Sequence, residues 1–266
     1  MKKRLVIILL LIIILIVTII GFASIIFFDN NIFDNSSSQD LTGCKIKKTR
    51  ETPVPLELAK SIALDNLKKT DPDFEWIYVG NYLTYNSFDK PNYYVLIFRE
   101  RGFTSLDTLN KLEENAKLFS DSTQEESEKK YQFNNIATVY TGAMKEDSLI
   151  IRHFRGIPES IGKKLEVKDF VENKYPGMTI GNLYYDSPMD VGYYEIINKD
   201  SKKASGNLIK VYDYSIVSHS DLIQNQERVQ NGKEERYSRL NEKECEILRN
   251  GIAARESANR VNWDSY

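Results

Sequence analysis

The residues of this chain best suited to nucleophilic or metal chemistry are Cys44, Cys245, His153 and His219. A cysteine attacks as the thiolate, which forms readily beside basic groups and poorly beside acids. Cys245 stands in Glu242-Lys243-Glu244-Cys245-Glu246, where neighbouring carboxylates raise a thiol pKa. His219 lies upstream of it without an evident orienting partner, so a Cys–His pair is not expected. Neither histidine has a Cys or His at metal-ligand spacing. The acid pair Asp186 and Asp190 falls in a turn, where carboxylates ordinarily solvate the chain. No glycine-rich phosphate loop, nucleophile elbow or metal cluster is present. We therefore expect no catalytic, cofactor-binding or metal-binding residues and no cofactor, and read the chain as a non-enzyme.

The elements around these residues follow from periodicity. Thr52-Pro53 suits a helix start, and Leu56, Ala59, Ile62, Ala63 and Leu67 then share one helical face until Asp71-Pro72. Strands are predicted at 75–85 and 93–99, an amphipathic helix at 104–120, and strands at 136–140 and 148–154. A short helix at 165–175 ends at Pro176-Gly177. Further strands are predicted at 178–185, 193–198 and 208–217, and Cys245, Leu248 and Ile252 give a helix at 241–260 a modest apolar face.

Upstream of all this, Leu5 to Phe28 is an uncharged run of 24 residues preceded by Lys2, Lys3 and Arg4. At about 1.5 Å per residue such a helix rises ~36 Å, enough for a hydrocarbon core of roughly 30 Å. The run exceeds a signal-peptide core, and Gly21, Ala23 and Ser24 are followed by Ile25-Ile26-Phe27-Phe28, which suits cleavage poorly. Leu41-Thr42-Gly43-Cys44 looks like a lipobox but is separated from the run by polar residues. The basic flank places the N-terminus in the cytoplasm. The expectation is a single-pass cell-membrane protein that meets the lipid bilayer through Leu5–Phe28, with its soluble part on the exterior side.

Setting aside Lys2, Lys3 and Arg4, 33 basic residues face 38 acidic ones, a balance that argues against a nucleic-acid partner. The 16 tyrosines favour half-exposed strands. An oxidising exterior permits a Cys44–Cys245 disulfide, and two unpaired thiols fit the sequence equally well. Asn35-Ser36-Ser37 is a glycosylation sequon. The expected organisation is an anchor (1–28), an exterior stalk (29–51), a first α+β unit (52–160) with an inserted helix at 104–120, a second unit (161–220) and a polar, helical tail (221–266).

The two units echo each other. Gly80-Asn81-Tyr82-Leu83-Thr84-Tyr85 resembles Gly181-Asn182-Leu183-Tyr184-Tyr185, and each is followed by a serine-containing turn and a Tyr-Tyr pair, Tyr93-Tyr94 and Tyr193-Tyr194. A helix precedes each. The reading is α+β: an N-terminal transmembrane helix, two repeated α-β-β units with antiparallel sheets, and a C-terminal helix.

On Tyr175-Pro176-Gly177, Tyr193-Tyr194-Glu195 and Gly206-Asn207-Leu208-Ile209-Lys210-Val211-Tyr212, the chain resembles PepSY-like (cystatin-like) modules. Residues 52–99 and 138–158, closing on Phe154-Arg155-Gly156-Ile157-Pro158-Glu159, resemble the propeptide-like N-terminal domain of exported cysteine peptidases. Residues 221–266 are too few to form a papain-like catalytic domain. The resemblance implies a non-catalytic binding or regulatory module that restrains or escorts an exported peptidase or other surface protein. Exposed strand edges would serve for β-augmentation and tyrosine faces for anchoring. A cell-surface structural or adhesion protein is the alternative.

Overall fold

Pro55 precedes α1 (Leu56–Thr70), whose buried residues Ala59, Ile62, Ala63 and Leu67 form the stripe legible in the sequence. Thr52 and Pro53 lie outside this helix, and Pro53 instead bridges Met144. In the computed structural model the described residues are Cys44, 52–103, 107–121, 134–185 and 192–266. After α1 come β1 (Trp76–Tyr85), β2 (Pro91–Glu100), α2 (Leu109–Asp121), β3 (Ile136–Gly142) and β4 (Arg152–Arg155). The second half runs α3 (Glu159–Gly162), α4 (Lys164–Lys174), β5 (Met178–Tyr184), β6 (Tyr193–Asn198), β7 (Ala204–Lys210) and β8 (Ile216–Ser218). Two helices, α5 (His219–Ser238) and α6 (Glu242–Asp264), complete the chain.

All eight strands belong to one sheet, in the order β4-β3-β2-β1-β5-β6-β7-β8. This corrects the expectation of two repeated units with separate antiparallel sheets. β1 and β5 pair in parallel, Thr84 with Leu183 and Tyr85 with Tyr184, so the sheet is mixed and continuous across the two halves. Their layouts also differ: the first inserts α2 between β2 and β3, whereas among the described residues the second has no helix between its four strands. The seam is stitched by Tyr185 N–H donating to Tyr85 C=O at 2.8 Å and by the buried Asn92 amide donating to Tyr185 C=O at 2.7 Å. The strand expected at 208–217 is two strands, because Tyr214 takes a left-handed φ of 57° and turns β7 back on β8.

Alternate strand residues separate the faces. On one, Leu96, Phe98, Ala137 and Val139 pack with α1. On the other, Val95, Ile97, Ile136 and Tyr140 pack with Leu112 of α2 and Ile161 of α3. Gly80 lets α2 approach closely, since a Cβ there would lie 2.4 Å from Leu109 Cγ. α4 covers the same face of the second half through Val167 and Val171, against Leu183, Tyr194, Ile196 and Ile209.

The tail is a pair of helices rather than one. A capping box starts α6, with Asn241 and Glu244 each accepting from the other's backbone N–H. Its buried residues are Cys245 and Trp263. Cys245 is disulfide-bonded to Cys44, which settles the pairing that the sequence left open. Trp263 is fully buried in the α1 core, and its indole N–H donates to Asp147 C=O at 2.9 Å. Arg260 pairs with Glu146 at 2.7 Å. Burial alone would raise the Glu146 carboxyl; the polar groups of its own backbone and of Thr52 beside it, with the Arg260 charge, bring it below the usual range.

Among the described residues no helix is long and apolar enough to cross a membrane. α5 and α6, at 20 and 23 residues, have the length but carry charges along it. The expectation of a single-pass cell-membrane protein with a cytoplasmic N-terminus and an exterior soluble part is corrected on this finding. Leu5–Phe28, like Asn35, Asp186 and Asp190, lies outside the described residues.

Candidate functional site

The parallel pairing of β1 and β5 brings the carboxyl ends of the two strands side by side. β1 turns toward β2 and β5 toward β6, and the seam between them ends at Tyr85 and Tyr184. The β1–β2 turn bends over this end with Asp89 at a left-handed φ of 58°, a conformation that costs a non-glycine residue energy and tends to mark sites of function. The Tyr184 hydroxyl donates to Asp89 Oδ1 at 2.7 Å. His219, the first residue of α5, sets its ring edge-on to Tyr184 at 5.2 Å, and Tyr85 lies 5.9 Å from Tyr184.

His219 Nε2 lies 2.9 Å from Ser87 C=O and 3.6 Å from Asp89 Oδ1. A carbonyl only accepts, so this nitrogen carries the proton and donates it. It is therefore not free to act as a base from that side. The Tyr184 hydroxyl is pushed well above its ordinary pKa by burial first, then by its bond to Asp89 and the charges of Glu195 and Asp89. At neutral pH the Tyr184 hydroxyl keeps its proton.

The strands extend the site across the α1 face. Register places Tyr193 beside Tyr184 and Ile197 beside Thr179, with Glu195 between them on β6, opposite Leu208 of β7. Leu208 is fully buried, while Thr179, Tyr193, Glu195 and Ile197 are half-buried. Gly181 makes room for the Glu195 carboxylate, since a Cβ there would lie 2.9 Å from Oε2. The Asn182 backbone N–H donates to that oxygen at 3.5 Å, a long and weak bond. Among the described residues Glu195 forms no ion pair. Lys210, the register partner of Tyr193, stands on the same face without reaching it. The result is a surface bordered by tyrosines with one half-buried carboxylate that forms no ion pair among the described residues.

The opposite face is closed on itself. Glu113 of α2 is 5 % exposed, accepts from the Tyr82 hydroxyl and pairs with Lys164 at 2.7 Å. Burial, then the bond to Glu113, holds the Tyr82 hydroxyl far above its usual pKa. Ser160 meets the Tyr185 hydroxyl, and Tyr194 donates to the Ser160 carbonyl at 3.0 Å. These bonds satisfy buried polar groups while fixing α2, α3 and α4 to the sheet.

Of the residues weighed in the sequence, Cys44 and Cys245 are joined and hold no free thiol. His153 is exposed on β4, and His219 is at the seam. Among the described residues no group of three or more His, Cys, Asp or Glu could hold a metal. Sequence reasoning missed Tyr85, Asp89, Tyr184 and Glu195 as a set. The usable signal was that Tyr85 and Tyr184 close the two Gly-Asn strands, which a shared sheet brings side by side. No family model, curated protein or solved structure matches the chain.

Proposed function

We propose that the chain is a non-catalytic binding module whose contact surface is the β1–β5 seam and the open floor beside it. The observation that carries this reading is Glu195: a half-buried carboxylate among tyrosines, without an ion pair among the described residues. Such a group is costly to leave unmatched and gains from a partner's basic side chain. Tyr85 and Tyr193, both half-buried, add flat, amphipathic area of the kind that dominates binding energy. The raised Tyr184 hydroxyl and the bond that commits His219 Nε2 to Ser87 C=O support recognition over turnover.

The partner we propose is an exported peptidase that the module restrains or escorts. The resemblance of residues 52–99, 138–158 and 165–217 to propeptide-like and PepSY-like domains supports this choice. The test adds the full chain to exported cysteine peptidases and tracks complex formation by gel filtration alongside substrate turnover. Complex formation with slowed turnover, weakened in Glu195→Gln, is the expected result. Absence of any complex overturns the peptidase reading. A complex that Glu195→Gln leaves unchanged overturns the seam as the contact.

A further inference from the structure

The two tail helices are fastened to the body at three places. His219, the first residue of α5, bonds Ser87 C=O at 2.9 Å. It directly follows β8, which stands three strands from β5 in the sheet order, yet its ring lies against Tyr184. The chain leaving β8 therefore turns back toward the seam. The far end of α6 is held by Arg260 on Glu146 and by Trp263, buried in the α1 core and bonded to Asp147. The third fastening is the Cys44–Cys245 bond. Among the described residues no hydrogen bond or ion pair joins residues 221–258 to the body.

α5 buries no residue, and α6 buries only Cys245 and Trp263. Without the covalent link the next buried anchor is Trp263, about five helical turns beyond Cys245. Helices draw most of their stability from packing, and Gly232 inside α5 costs about 1 kcal/mol relative to Ala. Little else keeps α5 and the start of α6 in place.

We propose that the Cys44–Cys245 bond is a redox latch on this helix pair. Oxidised, it keeps α5 and the first turns of α6 down and His219 on the seam. Reduced, it releases them, frees Ser87 C=O and bares the ring of Tyr184, which is 3 % exposed while His219 covers it. As regulation of the seam this rests on the seam being the contact surface; the release itself does not. The reductant is a dithiol. Its thiolate attacks one sulfur of the bond to form a mixed disulfide, its second thiol displaces the chain's cysteine, and it leaves as a disulfide. Two electrons and two protons pass to Cys44 and Cys245. Both cysteines are buried, so attack waits for the start of α6 to open, and the latch responds over minutes to hours.

Hydrogen exchange read by mass spectrometry tests the latch on the oxidised full chain, the chain treated with dithiothreitol, Cys44→Ser and Cys245→Ser. Cys44→Ser removes the bond without altering α6, which separates loss of the link from damage to the helix. The expected result is that residues 220–250 exchange roughly tenfold or more faster in the last three samples, while β2 and β3 stay protected on that timescale. Trypsin should cut at Arg228, Lys233 and Arg236, exposed on α5, in those samples and not in the oxidised chain. Dithiothreitol added to Cys44→Ser should change nothing further. A helix pair that keeps its exchange rate once the bond is gone, or that exchanges only together with β2 and β3, overturns the proposal. The β1–β2 turn, residues 86–90, should exchange faster as well; an unchanged turn means that His219 stays in place and overturns the gating of the seam. No peptidase is present in these samples, so the outcome is separate from that of the seam as a binding surface.

Discussion

Breaking the Cys44–Cys245 bond should destabilise the fold by several kcal/mol. The two cysteines are 201 residues apart, so the bond closes a loop that spans almost all of the described chain. The chain-entropy relation gives about 5 kcal/mol at 25 °C for a loop of that length, and measured disulfides more commonly return 2–4 kcal/mol because denatured chains keep residual structure. We expect Cys245→Ser to lose about 3–5 kcal/mol. Trp263 and its bond to Asp147 stay in place, so α6 remains docked at its far end and the native emission is preserved before unfolding. Trp76 and Trp263 both lie in the α1 core, so urea titration monitored by tryptophan emission reads the global transition. The oxidised chain, the reduced chain and Cys245→Ser should give one transition each, with the last two coinciding. A loss under ~1 kcal/mol, or two free thiols in the untreated chain, would show that the bond does not hold the fold in this way.

Four further outcomes rest on the same contacts. Trp263→Ala removes a fully buried indole and should cost about 3–5 kcal/mol in the same titration. Because Glu146 titrates below the usual range, the stability it lends is fully present above the ordinary Glu pKa of about 4.3 and is lost as pH falls through the lowered value. The urea midpoint should drop below about pH 4, and Glu146→Gln should flatten that step. Gly80→Ala sets a methyl against Leu109 and should destabilise by about 1–3 kcal/mol. Leu109→Ala in the same chain should recover part of that loss, measured as a double-mutant cycle.

The local elements were legible because they arise from short-range pattern. The stripe from Ala59 to Leu67 gave α1, and the Leu109, Leu112 and Ala116 spacing gave α2, whose register against Gly80 no local rule supplies. The joining of two four-stranded halves into one sheet was not legible. It depends on Thr84 and Tyr85 meeting Leu183 and Tyr184 across about a hundred residues, and β-propensity says nothing about which edges pair. The expected antiparallel units failed for that reason. α5 was missed because it buries no residue and so leaves no apolar period. Trp263 was invisible as an anchor because a lone tryptophan near a chain end carries no period either. At the site, His219 and the tyrosines were noticed singly. The set of Tyr85, Asp89, Tyr184 and Glu195 exists only once the parallel seam aligns two strand ends.

The proposed binding at the seam rests most directly on Glu195. Isothermal titration of the full chain with a bound exported peptidase, against the same titration of Glu195→Gln, measures what that carboxylate contributes. A charge-assisted hydrogen bond of about 1.5–3 kcal/mol predicts a loss of affinity of roughly ten- to a hundredfold with the fold unchanged. Equal affinity of the two chains would contradict the seam as the binding surface.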